Sequence, residues 1–320
     1  MARKDSENQK RSMSRMFRGK AIFKPLNTGW IDEHVACVRE WIANIFFYTK
    51  NGLLFLWEIL IWLNERLHFI FRLYIENFFF KDSHMALLGQ PPYDYHCFLV
   101  YMRGYGESEH IYDETLRDYA EVWGEDLMAF AEVMGIQSFY YTGISHGNWA
   151  AWYIAFHKPE LIRAYVCCDG ITQYHEERDL PGPLKKMRDH AEEYVGNKEV
   201  LSRVAWIENW PTENPQRLKR RKENFEEHLD ILMHRKKEEF ALPMLGDMTG
   251  CNVRSQEELL ERLHEINFPV MIWEGGLDPL ATPEAALECA KAIPGAVYLM
   301  YQHLGHGGAD EMPELTARDC

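Results

Sequence analysis

Residues Phe139 to Gly147 read Phe-Tyr-Tyr-Thr-Gly-Ile-Ser-His-Gly, an apolar run ending in Gly-x-Ser-x-Gly, and the helix-like Asn148-Trp149-Ala150-Ala151-Trp152-Tyr153-Ile154 follows at once. The order puts Ser145 on a sharp strand-to-helix turn. Gly143 and Gly147 have a steric task there, because larger side chains would collide where strand and helix approach. The Ser145 Oγ then projects alone above the end of a strand. The N–H of His146, at the start of the following helix, points where an oxyanion would develop.

Two later segments complete the pattern. Pro269 to Pro279 is a short apolar strand that runs into a glycine turn and presents Asp278; Ala296 to Tyr301 is another strand, followed by Gly305-His306-Gly307. Nucleophile, carboxylate and imidazole thus stand at three strand ends in the chain order Ser, Asp, His. Cys97 to Tyr101 followed by Met102-Arg103-Gly104-Tyr105-Gly106-Glu107-Ser108, and His157-Lys158-Pro159-Glu160 leading into Leu161 to Val166, fit the same frame. From Cys97 to Glu314 the chain resembles the α/β-hydrolase family. The resemblance implies a mostly parallel sheet flanked by helices, with a helical cap inserted between two strands. It also implies Ser145 as nucleophile, His306 as base, Asp278 as the acid that orients it, and His146 as an oxyanion donor. Asp169, after the strand Tyr165 to Cys168, is the rival acid, since some hydrolases of this fold take the carboxylate from that earlier strand. His303, near His306, reads as structural.

Between these motifs strands and helices alternate. Leu116, Ala120, Trp123, Leu127, Phe130 and Met134 recur at three- and four-residue steps and predict an amphipathic helix closed by Gly135. From Ile171 to Asn267 the strand pattern stops and the chain becomes charged and helical, with Leu218, Phe225, Leu229 and Leu232 as one buried stripe. Residues 171–267 are therefore assigned to the cap, and 84–170 with 268–320 to the hydrolase core. Trp206, Trp210, Phe240 and Met244 read first as cap core and second as the wall of an apolar substrate pocket.

Composition excludes several functions. A formal net charge of -14 argues against a nucleic-acid partner, so the run Lys219-Arg220-Arg221-Lys222 reads as a solvated helix face. Seven cysteines without a small-scaffold spacing suggest reduced thiols and a cytoplasmic setting. Cys167 and Cys168 are adjacent on a strand and face opposite ways. No Cys-x-x-Cys or His-Glu-x-x-His spacing occurs, and the expectation is no metal and no cofactor.

Residues 1–83 depart from the family pattern. Residues 1–24 carry eight Lys or Arg against Asp5 and Glu7, a basic arm. Trp41 to Phe80 is rich in aromatic and aliphatic residues, but charges interrupt it before it reaches the length of a membrane span. It reads as a helical extension, either an interfacial helix giving residues 1–80 peripheral contact with anionic membrane or one buried against the domain or a partner. The usual first three strands are absent or unrecognisable. The nearest candidate, Met85 to Gly89, lacks the His-Gly whose loop supplies a second oxyanion N–H, and lies too close to Cys97 for a parallel crossover. The family resemblance implies a serine-dependent hydrolase of a small carboxylic ester or lactone; the alternative is a catalytically weak or silent relative that binds a ligand or partner. Oligomeric state is not legible.

Overall fold

The computed structural model describes residues 71–75, 84–104, 108–110, 119–175, 182–207, 214–240 and 249–320. The sheet is built from β1 (Phe71–Ile75), β2 (His96–Leu99), β3 (Phe139–Ile144), β4 (Ile162–Cys168), β5 (Val270–Gly275) and β6 (Val297–Tyr301). Its order is β2-β1-β3-β4-β5-β6, and every neighbouring pair is parallel. Parallel strands need a crossover between them, so both faces are covered and the central strands are apolar almost throughout. β3 and β5 each bury five of six residues.

Two layers cover the sheet. On one face pack α2 (Tyr119–Met134), α3 (Trp149–His157) and α10 (Pro283–Ala292); on the other pack α1 (His84–Leu88) and α12 (Pro313–Asp319). Neighbouring strand residues divide between these layers as the two-residue strand period requires. Cys167 and Ile272 belong to the first cluster, Cys168 and Trp273 to the second. The stripe of α2 is as the periodicity predicts at Ala120, Trp123, Leu127 and Phe130, whereas Met134 is 50% exposed. Leu116 lies outside the described residues. At the helix end Gly135, at φ +70°, donates to Glu132 O and Ile136 donates to Ala131 O. This paired closure needs a left-handed residue, which glycine adopts without strain.

Between β4 and β5 run α4 (Gly182–Asp189), α5 (Ala191–Tyr194), α6 (Lys198–Ile207), α7 (Pro215–His234), α8 (Lys237–Phe240) and α9 (Gln256–Leu263). Leu229 and Leu232 of the predicted stripe are buried with Tyr194, Leu201 and Phe240 in a separate small core, against which Phe225 is half-buried. Trp210 and Met244 lie outside the described residues. α9 packs beside α10, and Leu263, Ile266 and Phe268 join the main core. His306 follows β6 and precedes the short α11 (Gly308–Glu311).

Three expectations are corrected. Phe71–Ile75, inside the stretch read as helical, is an interior strand pairing β2 and β3. Met85 to Leu88, the candidate strand, lies in helix α1; residues 76–95 then separate β1 from β2, ample for a crossover. The run 219–222 is not a solvated face throughout: Lys219 and Lys222 are exposed, but Arg221 is buried, because a four-residue step aligns it with buried Arg217. The basic arm and Trp41 to Ile70 lie outside the described residues. Among the described residues no helix is long and apolar enough to cross a membrane.

Candidate active site

Ser145, Asp169, Asp278 and His306 all follow the carboxyl ends of parallel strands, where crevices form in open α/β sheets. Ser145 has φ +53°, a left-handed conformation that costs a residue with a side chain energy and that the surrounding fold must hold in place. The turn is as tight as the spacing predicts: a Cβ on Gly143 would stand 2.9 Å from Gly147 O and Asn148 Oδ1. Asn148 fastens the turn to β4. Its Nδ2 donates to Ser145 O at 2.9 Å and to Cys168 O at 3.0 Å, and its Oδ1 accepts from Tyr165 Oη at 2.8 Å. Tyr141 Oη donates to Gly147 O at 2.5 Å.

Ser145, Asp278 and His306 come together. His306 Nε2 lies 2.8 Å from Ser145 Oγ, and His306 Nδ1 lies 2.7 Å from Asp278 Oδ2. A carboxylate accepts only, so Nδ1 carries the proton in the neutral imidazole and Nε2 is left to accept from the serine hydroxyl. Asp278 is held in turn, since the N–H groups of Leu280 and Ala281 donate to its Oδ1 at 2.7 and 3.0 Å. His146 is the second residue of the short turn Ser145–Asn148 that leads into α3. Its ring lies against Trp123 and Trp149, with Nδ1 3.5 Å from Ser145 Oγ. His303 is exposed on the loop between β6 and His306.

Asp169, the rival acid, is fully buried, and its Oδ1 accepts from the Gly275 N–H at 3.1 Å. Glu274, which no sequence motif marks, is buried beside it and accepts from the same N–H at 3.0 Å. Oxygens of Asp169, Glu274 and Asp278 lie within 4.8 Å of one another, the one grouping among the described residues with the donors and spacing to hold a cation. Burial, then the Asp278 charge, raises the Asp169 carboxyl to about 7. Burial, then Asp169 and Asp278, pushes Glu274 well above the usual carboxylate range. Both groups are thereby biased toward their protonated forms, which lessens the repulsion among the three without a metal. A glutamate inside the apolar run Val-Met-Ile-Trp-Glu-Gly was the available signal for this cluster. Asn148 had none beyond its place after the motif.

The model of the alpha/beta hydrolase fold matches residues 77–313. The chain belongs to the α/β-hydrolase family. A proline iminopeptidase of Clostridioides difficile (strain 630) is 24% identical over 198 residues, 58% of this chain and 66% of that one, so the match spans just under two thirds of the relative. Solved structures of low identity share the fold. A thermophilic esterase from Thermogutta terrifontis has a TM-score of 0.60 at 17% identity, over 78% of this chain and 87% of that one. An enol-lactonase from Burkholderia xenovorans LB400 has a TM-score of 0.57 at 17% identity, over 78% and 88%.

Proposed function

We propose that this α/β-hydrolase cleaves a small carboxylic ester or lactone through an acyl-enzyme on Ser145. The observation that carries the reading is the continuous hydrogen-bond path from Ser145 Oγ through His306 to Asp278, starting at a serine held in a left-handed turn. Ser145 Oγ attacks the carbonyl carbon while His306 Nε2 takes its proton; Asp278 holds the imidazole and stabilises its charged form. The N–H of His146 donates to the oxygen that becomes negative. As the tetrahedral species collapses, Nε2 returns the proton to the leaving alkoxide. Water, deprotonated by the same nitrogen, then attacks the acyl carbon and frees Ser145. β1 with residues 84–170 and 268–320 acts as the catalytic core, with α9 packed into it, and helices α4 to α8 of 171–267 act as the cap that limits what reaches the serine. The esterase and lactonase folds support the substrate class.

The test is hydrolysis of short p-nitrophenyl esters. The wild type turns them over and is labelled by a fluorophosphonate, and Ser145→Ala lowers kcat at least about a thousandfold, because no other group forms the acyl-enzyme. Turnover retained in the variant removes Ser145 from the mechanism, and absence of both label and turnover in the wild type favours a silent binding protein. The proline iminopeptidase likeness supports a second reading, in which the same serine cleaves an amide. Preference for proline p-nitroanilide over the matched ester would select it.

A further inference from the structure

Helix α7 reaches the histidine loop through two arginines that share one carboxylate. Arg217 and Arg221 stand one turn apart on α7, and both are buried on Glu311 of α11. Arg217 Nε donates to Glu311 Oε2 at 2.5 Å, Arg221 Nε donates to Oε1 at 2.7 Å, and each arginine adds a second contact through Nη2. Arg217 Nη1 also donates to the carbonyl oxygen of His303 at 2.8 Å. His303 and Glu311 lie on either side of His306 in the chain. A single guanidinium therefore grips both ends of the loop that carries the imidazole. Within that loop the N–H groups of Asp310 and Glu311 donate to Gly307 O at 3.1 and 3.2 Å, so a shift of Glu311 is passed to the residue next to His306.

Burying two cations and an anion is a poor route to stability, because the cost of taking them out of water offsets much of their attraction. Fixed geometry is what such a group supplies well. Arginine's planar fork sets both the distance and the angle of the carboxylate it holds. We propose that Arg217, Arg221 and Glu311 are positioning residues for His306, by which the helix between β4 and β5 holds Nε2 within reach of Ser145 Oγ. The inference rests on the reading of His306 as the catalytic base.

Two variants test it. Glu311→Gln removes the central charge at constant size. Arg217→Lys keeps the charge but gives up the fork that reaches both Glu311 and His303 O. In both, kcat on a p-nitrophenyl ester falls about tenfold to a hundredfold, the scale expected when a reacting group is displaced by about an ångström. KM stays within about twofold, since substrate binding is not what is lost. Amide hydrogen exchange in 304–311 becomes faster in both. If Glu311→Gln does not fold, Arg217→Lys still decides, because it leaves the number of buried charges unchanged. Wild-type kcat in folded Arg217→Lys, or a loss confined to KM, overturns the proposal. Exchange is read without turnover, so unchanged protection of 304–311 overturns the clamp whatever becomes of the hydrolase reading, while that reading fails separately on an active Ser145→Ala.

Discussion

Asp169 is a carboxyl group crowded by two others, and its proton has a consequence for stability. Its ordinary value is 3.8, and burial with the Asp278 charge raises it to about 7 in the fold. Between those values the folded chain keeps a proton that the unfolded chain releases. Its contribution to stability is therefore fully present below 3.8 and is lost as pH rises through about 7. Glu274, also raised, acts in the same direction. Asp169→Asn should melt at higher temperature than the wild type at pH 8, with the difference shrinking toward pH 4; parallel pH slopes in the two proteins would sink the idea. Activity separates the two aspartates in the other sense. Asp278→Asn should lower kcat about ten-thousandfold by losing the acceptor that fixes the histidine tautomer, and Asp169→Asn should be mild by comparison. The reverse ranking would move the acid to β4. The rate should also fall on the acid side as His306 takes up a proton and can no longer accept one from Ser145, and a profile flat from pH 5 to 8 would count against His306 as base.

Among the elements, the turn between β3 and α3 depends most on a single side chain. Removing Asn148 strands the Ser145 and Cys168 carbonyls and the Tyr165 hydroxyl. Asn148→Ala should cost at least about 2 kcal/mol, at the scale of buried polar groups left unpaired, and lower kcat by freeing the serine. Urea unfolding with a midpoint equal to wild type would refute this. The β3–α3 unit was legible because its chemistry is local: an apolar run, two glycines and a helix lie within Phe139 to His157. The α2 helix was legible through its period and its closing glycine. β1 was not, because Phe71–Ile75 sits in a stretch of aromatic and aliphatic residues broken by charges without a two-residue rhythm. Nor was α1, because four apolar residues from Met85 to Leu88 satisfy strand and helix alike. The burial of Arg217 and Arg221 was not legible for a different reason. Their partner lies some ninety residues away, and nothing local to α7 marks two of its cations as buried.

At the scale of the molecule, β1 changes how the N-terminal region must be tested. Phe71–Ile75 lies between β2 and β3, so this piece cannot also lie on a membrane surface. If the basic arm and the apolar stretch after it bind anionic membrane, the full chain should pellet with anionic liposomes at low salt. Deleting 1–70 should then abolish pelleting and leave a folded core, whereas deleting 1–80 removes an interior strand and should unfold it. Full-length protein that stays in the supernatant ends the membrane idea. The separation of Ser145 and His306 also bears on how the protein is made. Their hydrogen bond joins residues 161 positions apart. At a synthesis rate of roughly 5–20 residues per second, the serine emerges roughly 8–32 seconds before its base. On the proposed mechanism the nascent chain carries an ordinary alcohol for that interval, and its reactivity arrives only with His306.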